Sequence, residues 1–370
     1  MFKIAHFRFL PSVLLGIVLL CAAAGGIQAQ RSSGPPIIRF LVAPTPGQDA
    51  QTLSARLQDS VRQALAAGDF QAELQVDHLP TAPEVFPPAV GEAALIITIR
   101  GCPDERCLLS VAVGVNAPPS NLLISDNLLV TLANAQPIHL ELTAADDDDL
   151  RFFGQLVAGL FGYSTDACPA ALPLLDSSRA DSAGMAGVAN AYLLDFYRAL
   201  CLREAHDYGA ALDALEAMRA ALVDADAPWQ LFRLCDIYTA DSLAQSFAFD
   251  RALAWDDRAI MLTQAHYSPT DSIADQLLAE LYLLRGQHRL YLYEWDTVLA
   301  DYNTALTFPH APARAYYYRG LLYYTQNARQ AAYDDLTRYL ALETDDSPLT
   351  ERARQYVADL EHLLATPGAE

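Results

Sequence analysis

Two cysteines are placed where they could form a covalent or metal link. Cys102 and Cys107 enclose the segment Pro-Asp-Glu-Arg between two apolar, β-branched runs. A disulfide across so short a loop would add about 2 kcal/mol of stability. Zinc binding would need four ligands, and no second cysteine pair or nearby histidine completes the set. We therefore expect a Cys102–Cys107 disulfide and no metal.

A run of four carboxylates, Asp146 to Asp149, precedes a segment with helical apolar spacing. Carboxylates can chelate a hard cation such as calcium, but calcium loops space their ligands along a wrapped segment. Acidic residues at a helix N-terminus are also favoured by capping and by the helix dipole, by about 0.3–1 kcal/mol each. Four contiguous carboxylates fit helix capping better than calcium binding.

No stretch carries a recognisable catalytic motif. The sequence lacks a Gly-rich phosphate loop with its lysine, a nucleophile elbow and a dinucleotide fingerprint. No two histidines stand at metal-ligand spacing; they are His6, His78, His139, His206, His266, His288, His310 and His362. We expect a protein that is not an enzyme and needs no cofactor.

The charge of the chain narrows the classes of partner. The 370 residues carry a formal net charge of −21, and 52% of them are hydrophobic. The composition indicates a folded protein. Nucleic-acid binding depends on clustered Lys and Arg, so neither nucleic acid nor an anionic membrane surface is an expected partner.

The first residues resemble a targeting signal. Lys3 and Arg8 give a positive start, residues 10–24 form an apolar run, and Ala29 ends a plausible cleavage site before Gln30. This layout predicts a secretory signal peptide over residues 1–29. An uncleaved anchor is the alternative, because the run approaches the minimum of about 17 residues that spans a bilayer. We expect a secreted, periplasmic or cell-envelope protein, bacterial in type, with no membrane insertion after cleavage.

Three further cysteines, Cys168, Cys201 and Cys235, would remain in the exported chain. Export makes disulfides permissible. Cys201 and Cys235 are 235 − 201 = 34 residues apart, so they would either face each other in neighbouring repeats or be small buried residues. Because Cys21 would be removed with the signal peptide, five cysteines would remain, and at least one thiol would stay free.

A repeat organises the second half of the chain. Gly286 and Gly320 are 320 − 286 = 34 residues apart, and Tyr282 and Tyr316 mirror each other around them. Each glycine lies in one amphipathic helix that is followed by a turn and a second helix. With these residues the chain resembles the tetratricopeptide repeat (TPR) family, whose unit is a 34-residue helix pair.

The resemblance covers residues 188–366 and ends in a capping helix near Arg352 to Leu364. It implies an all-α solenoid in which the first helix of each pair lines a groove. By the family pattern, six residues would face that groove and are called the groove residues: Phe196, Arg203, Gln230, Arg314, Tyr317 and Tyr324. The resemblance implies recognition of a protein or peptide segment there.

The first half has a different pattern. Strand-like and helical runs alternate over residues 37–163, which predicts a small α/β domain. Its element order resembles the TolB-type amino-terminal domain that precedes tetratricopeptide repeats in exported bacterial proteins. Residues 164–187, rich in Ser, Asp, Pro, Ala and Gly, are interpreted as a linker that is partly ordered by the apolar run from Ala171 to Leu175.

The sequence therefore predicts an α/β domain followed by an all-α repeat solenoid, acting as an exported interaction or scaffold protein. The alternative is an envelope enzyme or a small-molecule or sugar-binding protein with its site in the α/β domain. A third reading is a scaffold whose groove is occupied internally.

Overall fold

The computed structural model describes residues 35–42, 48–78, 93–101, 106–113, 138–143, 146–182, 188–268, 272–343 and 346–365. The chain divides into two compact units. The first contains five strands and three helices, and the second contains nine helices among the described residues. This is the predicted order of an α/β unit followed by helical repeats.

The first unit is built on a mixed sheet. Its elements are β1 Ile37–Val42, α1 Gln48–Ala67, β2 Glu73–His78, β3 Ala93–Gly101, β4 Arg106–Val113, β5 Ile138–Thr143, α2 Asp147–Ser164 and α3 Cys168–Ser182. Within this unit the strand order is β2-β1-β3-β4-β5. The two-residue strand β6, Val188–Ala189, belongs to the second unit. Strand β1 runs parallel to β2 and β3, and β4 runs antiparallel to β3.

Helices α1 and α2 pack closely because one residue has no side chain. A Cβ at Gly154 would lie 2.4 Å from Ser60 Oγ, and Ser60 Oγ donates to the Leu150 carbonyl at 2.5 Å. The predicted apolar face of α1 is buried at Leu57, Val61 and Leu65. Apolar helix faces and the strands thus form the core of this unit.

The Asp146–Asp149 run caps helix α2, as the sequence predicted. The Asp146 carboxylate accepts a hydrogen bond from the Asp148 backbone N–H at 2.8 Å. Asp147 pairs with Arg56 at 2.8 Å, and Asp148 pairs with Arg151 at 3.1 Å. Across the described residues, no group of three or more His, Cys, Asp or Glu could hold a metal ion.

The segment predicted as a linker is largely helical. Helix α3 runs from Cys168 to Ser182, with Pro173 inside it. Ala171, Leu175 and Ser178 are buried at helical spacing, and Leu175 packs against Gly159 of α2. Its composition is that of a linker, but its apolar residues form one buried stripe, and burial of that stripe stabilises a helix.

The second unit repeats a helix pair four times and ends with one further helix. The helices are α4 Tyr192–Glu204, α5 Tyr208–Asp224, α6 Trp229–Gln245, α7 Phe249–Ala265, α8 Ser272–Tyr291, α9 Trp295–Ala305, α10 Arg314–Thr325, α11 Arg329–Leu342 and α12 Pro348–Ala365. This is the tetratricopeptide-type arrangement, and α12 is the predicted capping helix.

The glycines mark the close contact inside a pair. A Cβ at Gly286 would lie 2.5 Å from the Tyr302 ring, and a Cβ at Gly320 would lie 3.0 Å from Leu336. In the first pair, Ala199 occupies the corresponding site and is fully buried. The small residue lets two helices approach, and the large residue of the second helix fills the gap.

The cysteines differ from one another in state. Cys168 and Cys201 are each disulfide-bonded, so Cys201 does not pair with Cys235. Cys235 is a free, fully buried thiol that donates to the Leu215 carbonyl at 3.2 Å, and burial raises its pKa to about 12. For Cys235, the reading as a small buried residue is the correct one.

Some sequence predictions concern residues outside the described ranges. These are the signal peptide over residues 1–29 and the turn between Cys102 and Cys107 with its disulfide. Within the described residues, no helix combines the length and the apolar character needed to cross a membrane.

The glycine contacts predict opposite effects for two substitutions. Gly286→Ala should lower the free energy of unfolding by about 1–2 kcal/mol, because the cost of displacing Tyr302 exceeds the helix-propensity gain. Gly209→Ala should instead raise it by about 0.5 kcal/mol, since the nearest atom there is 3.8 Å away. Denaturant unfolding of both variants measures this. Equal effects at the two sites would contradict the packing account.

Candidate functional site

One arginine joins three helices in the third repeat. Arg285 of α8 donates from Nε and Nη2 to the Asp301 carboxylate of α9 at 3.1 and 2.5 Å. Its Nη1 reaches Asp257 of the preceding helix α7 at 2.6 Å. The guanidinium also lies over the Tyr282 ring, 5.0 Å from its centroid. We call this arrangement the arginine clamp.

The fourth repeat has the same clamp 34 residues later. Arg319 donates from Nε and Nη2 to Asp335 at 2.7 and 2.8 Å, and from Nη1 to Asn303 at 2.9 Å. Its guanidinium lies 5.9 Å from the Tyr316 ring centroid. Forked, charge-assisted hydrogen bonds fix geometry as well as adding energy. Each clamp therefore fixes a first helix against its own second helix and the second helix of the pair before.

Two of the groove residues are core residues. Phe196 and Tyr317 are fully buried. Phe196 packs edge-on against Tyr238 at 5.4 Å between ring centroids, and Tyr317 packs against Tyr339 at 5.3 Å. The expectation that they offer rings to a ligand is corrected here, because neighbouring helices already cover them.

The two arginines among the groove residues are already paired. Arg203 donates to Asp241, and Arg314 donates to Glu280. Both carboxylates are almost fully buried. Only 9% of the Arg203 side chain is exposed, and its guanidinium lies over the Tyr238 ring, whereas a third of the Arg314 side chain is exposed. Arg203 is thus a structural residue, and Arg314 keeps an accessible edge.

Gln230 and Tyr324 are half-buried. The Gln230 Oε1 atom is buried and makes no hydrogen bond in the described part of the chain. The Tyr324 ring lies 4.8 Å from the Tyr356 ring of the capping helix. Together with Arg314, these are the groove residues that a partner could reach.

A buried acid–imidazole pair occupies the core of the second and third repeats. His288 Nδ1 lies 2.7 Å from Asp256 Oδ2, and both side chains are buried. Burial lowers the pKa of His288, but the Asp256 carboxylate raises it more. Burial also raises the pKa of Asp256 against the opposing effect of His288. His288 thus supplies the buried carboxylate of Asp256 with its hydrogen-bond partner.

The turns within the helix pairs hold residues that the sequence reading did not select. In the described residues, eight non-glycine residues have positive φ, and five of them are Asp or Asn, the types that tolerate this conformation best: Asp69, Asp166, Asn190, Asp226 and Asn327. The other three are His206, Phe247 and Tyr293, in the turns of the first three pairs. A bulky residue in this region costs about 1–2 kcal/mol.

Those turns also carry a second aromatic residue two positions later. Phe247 contacts Phe249 edge-on at 6.2 Å, and Tyr293 contacts Trp295 at 5.8 Å between ring centroids. In the first pair, His206 and Tyr208 are 5.9 Å apart. The signal was visible in the sequence as an aromatic-x-aromatic pattern just before or at the start of the second helix in the first three pairs.

The two rings at the turns are exposed. Phe247 is 78% and Tyr293 is 58% exposed. Phe249 in turn stacks on Tyr291, the last residue of α8, at 4.3 Å. Phe247, Phe249 and Tyr291 thus form one set of contacting rings, and Tyr293 and Trp295 form another. We call the rings at the turns of the first three pairs the aromatic edge: Tyr208, Phe247, Phe249, Tyr291, Tyr293 and Trp295.

Comparisons with known proteins place the fold but not the ligand. No family model and no curated protein matches this chain. The Rap conjugation gene regulator of plasmid pLS20, solved in complex with the Phr* peptide, is similar at 13% identity and TM-score 0.41, over 60% of this chain and 61% of that one. The match therefore spans less than two thirds of Rap.

Two further structures are similar. TTC0263, a thermophilic TPR protein of Thermus thermophilus, has 15% identity and TM-score 0.37, over 56% of this chain and 99% of that one. The TPR2AB domain of yeast Sti1, solved as a pHSP90 complex, has 10% identity and TM-score 0.26, over 57% and 98%. At these values the likeness concerns the general fold alone.

The buried pair predicts a pH dependence of stability. Both pKa values are raised in the folded state, so that state holds more protons than the unfolded chain. The stability that the pair contributes should therefore be fully present below the ordinary carboxyl pKa of about 4 and be lost as pH rises through the raised pKa values of Asp256 and His288. Asp236, whose pKa burial raises to about 7 against the opposing Arg219, adds to the same trend.

The double variant Asp256→Leu/His288→Leu isolates the pair. Replacing a buried ion pair by apolar residues of similar volume is often neutral or stabilising. We expect the double variant to have a Tm at least equal to that of the wild type. Its stability should fall less than that of the wild type as pH rises. Asp256→Leu alone should be destabilising, since it leaves His288 buried without its carboxylate. If the stability of the double variant falls as steeply with pH as that of the wild type, the pH dependence comes from other groups.

Proposed function

We propose that this chain is a non-enzymatic interaction protein whose helical repeats bind a segment of a partner protein. The observation that carries the proposal is the fourfold helix pair with its repeated arginine clamp. A stack of this kind presents several helices in fixed positions without enclosing a reaction centre. Such a surface suits recognition of an extended or helical segment.

Within the groove, the accessible residues favour the end formed by the fourth repeat. Arg314 is partly exposed although it pairs with Glu280, and Tyr324 is half-buried against Tyr356. A tyrosine ring gives a large contact area with few torsions to fix, and an arginine can receive a carboxylate or a backbone carbonyl. We assign partner contact to these two residues, with Gln230 as a further contact in the second repeat.

We also propose that the protein works outside the cytoplasm, on the strength of the signal-like residues 1–29. Disulfide-bonded Cys168 and Cys201 suit an oxidising compartment. The prediction is that protein recovered from the envelope or the medium begins at Gln30, by N-terminal sequencing. Recovery of the intact N-terminus from the cytoplasm would contradict export.

Partner binding is tested by selecting peptides from a displayed random library on the purified full chain. Tyr324→Ala is compared with Tyr323→Ala, because the two neighbours are equally half-buried in the same helix. We expect selected peptides to bind the wild type and Tyr323→Ala alike, and Tyr324→Ala about 30-fold more weakly, the effect of removing a binding hot spot.

Two results would contradict the proposal. If no peptide is enriched, the repeats do not work as a peptide-binding surface. If the selected peptides bind both variants equally well, the contact lies elsewhere, and the peptide site should then be sought on the first unit.

A further inference from the structure

We propose a second docking surface: the aromatic edge binds an extended partner segment that carries Lys or Arg side chains. This inference rests on the proposed function, because it assumes that the repeats bind protein, but it uses different residues from the groove. The surface consists of the rings at the turns of the first three helix pairs.

The choice of residues at these turns does not serve the fold. The turn of the fourth pair has Asn327 at the positive-φ position, a residue suited to it. The second and third pairs have Phe247 and Tyr293 there, in the same conformation and largely exposed. These rings therefore carry both backbone strain and exposed apolar surface with little packing in return. Strain of this kind is characteristic of binding sites.

The rings form a platform across neighbouring repeats. Phe247 meets Phe249, Phe249 stacks on Tyr291, and Tyr293 meets Trp295. In a stack of helix pairs, the turns within successive pairs lie along one edge of the stack. The rings at these turns therefore follow that edge. An extended or polyproline-type segment would lie along such a row and meet one ring after another.

The protein already uses its other rings to hold cations. Arg258 lies 4.5 Å above the Trp255 ring centroid, and Arg233 lies 4.7 Å above Trp229. In the described part of the chain, the rings of Phe247, Tyr293 and Trp295 have no arginine over them. A cation within about 6 Å of a ring centroid is attracted by its π face. These three rings of the aromatic edge therefore offer positions for a cation from a partner.

The charges around the rings select a basic partner. Exposed carboxylates lie in or just after these turns, at Asp207, Asp250, Glu294 and Asp296. The cations beside them are Arg251, which is exposed, and Arg289, whose Nε lies 3.9 Å from a Glu294 carboxylate oxygen. Asp207 also caps helix α5 by accepting from the Ala210 N–H at 3.1 Å. Local charge thus agrees in sign with the net charge of −21. A basic segment would be attracted and an acidic one repelled.

The test uses a fluorescent peptide of alternating Pro and Arg and a matched peptide of alternating Pro and Glu. Binding to the purified full chain is followed by fluorescence anisotropy. The double variant Phe247→Asn/Tyr293→Asn removes both rings and installs the residue found in the fourth turn. Met261→Gln, which removes an exposed apolar side chain from helix α7, is the matched control.

We expect the Pro-Arg peptide to bind the wild type and the control, and the Pro-Glu peptide to bind neither. The double variant should bind about 5- to 30-fold more weakly, the effect of losing two cation–π contacts. Its Tm should equal or exceed that of the wild type, because the strain at both turns is relieved. Asp250→Asn/Asp296→Asn, with all rings intact, should also weaken binding.

The inference is overturned if the wild type does not bind the Pro-Arg peptide, binds both peptides equally, or binds as well after loss of the two rings. Ring-dependent binding to neutral lipid vesicles, with no peptide binding, would assign the edge to membranes and overturn it too. If display-selected peptides still depend on Tyr324 in any of these cases, the proposed function stands and only this inference fails.

Discussion

The arginine clamp is the interaction on which the repeat unit depends. Arg285 and Arg319 each hold the carboxylate of their own second helix and a polar side chain of the preceding pair, so one guanidinium positions three helices. Asp301 is almost fully buried and also receives Arg289 at 2.8 Å. Removing one partner of such a buried group costs about 3–5 kcal/mol, which is a large part of a domain's stability.

The small residues and the clamp act together. Gly286 allows α8 to approach α9 closely, and this approach brings Arg285 within reach of Asp301. The same geometry recurs at Gly320, Arg319 and Asp335. The stacked pairs therefore have a defined spacing, and a surface of defined spacing can recognise a partner segment at several points at once.

The sequence predicted much of this fold because its signals are local. The Gly286–Gly320 spacing gave the repeat, and the Asp146 cap followed from its position before an apolar helix. Burial of Tyr317 and Phe196 could not be predicted, because it depends on rings from other helices, Tyr339 and Tyr238. Partial order was expected at Ala171 to Leu175, but the full extent of helix α3 was not predicted, because its composition outweighed the stripe formed by Ala171, Leu175 and Ser178. The likeness of the first unit to TolB-type domains stays an expectation.

The turn residues were missed for a different reason. A positive φ is not visible in a sequence, so Phe247 and Tyr293 read as ordinary exposed aromatics until the turns are known. Their position shows that the chain uses strained residues at three turns and an unstrained one at the fourth. The core and the turns therefore differ in this unit: the core buries and pairs its charges, and the turns expose rings.

The central claim is that the helical repeats, and not the α/β unit, bind partner protein. Hydrogen–deuterium exchange of the full chain, with and without a display-selected peptide, tests it most directly. The account predicts slower exchange in helix α10 around Arg314 and Tyr324, with residues 35–182 unchanged. Protection confined to residues 35–182, with the repeats unaffected, would contradict it.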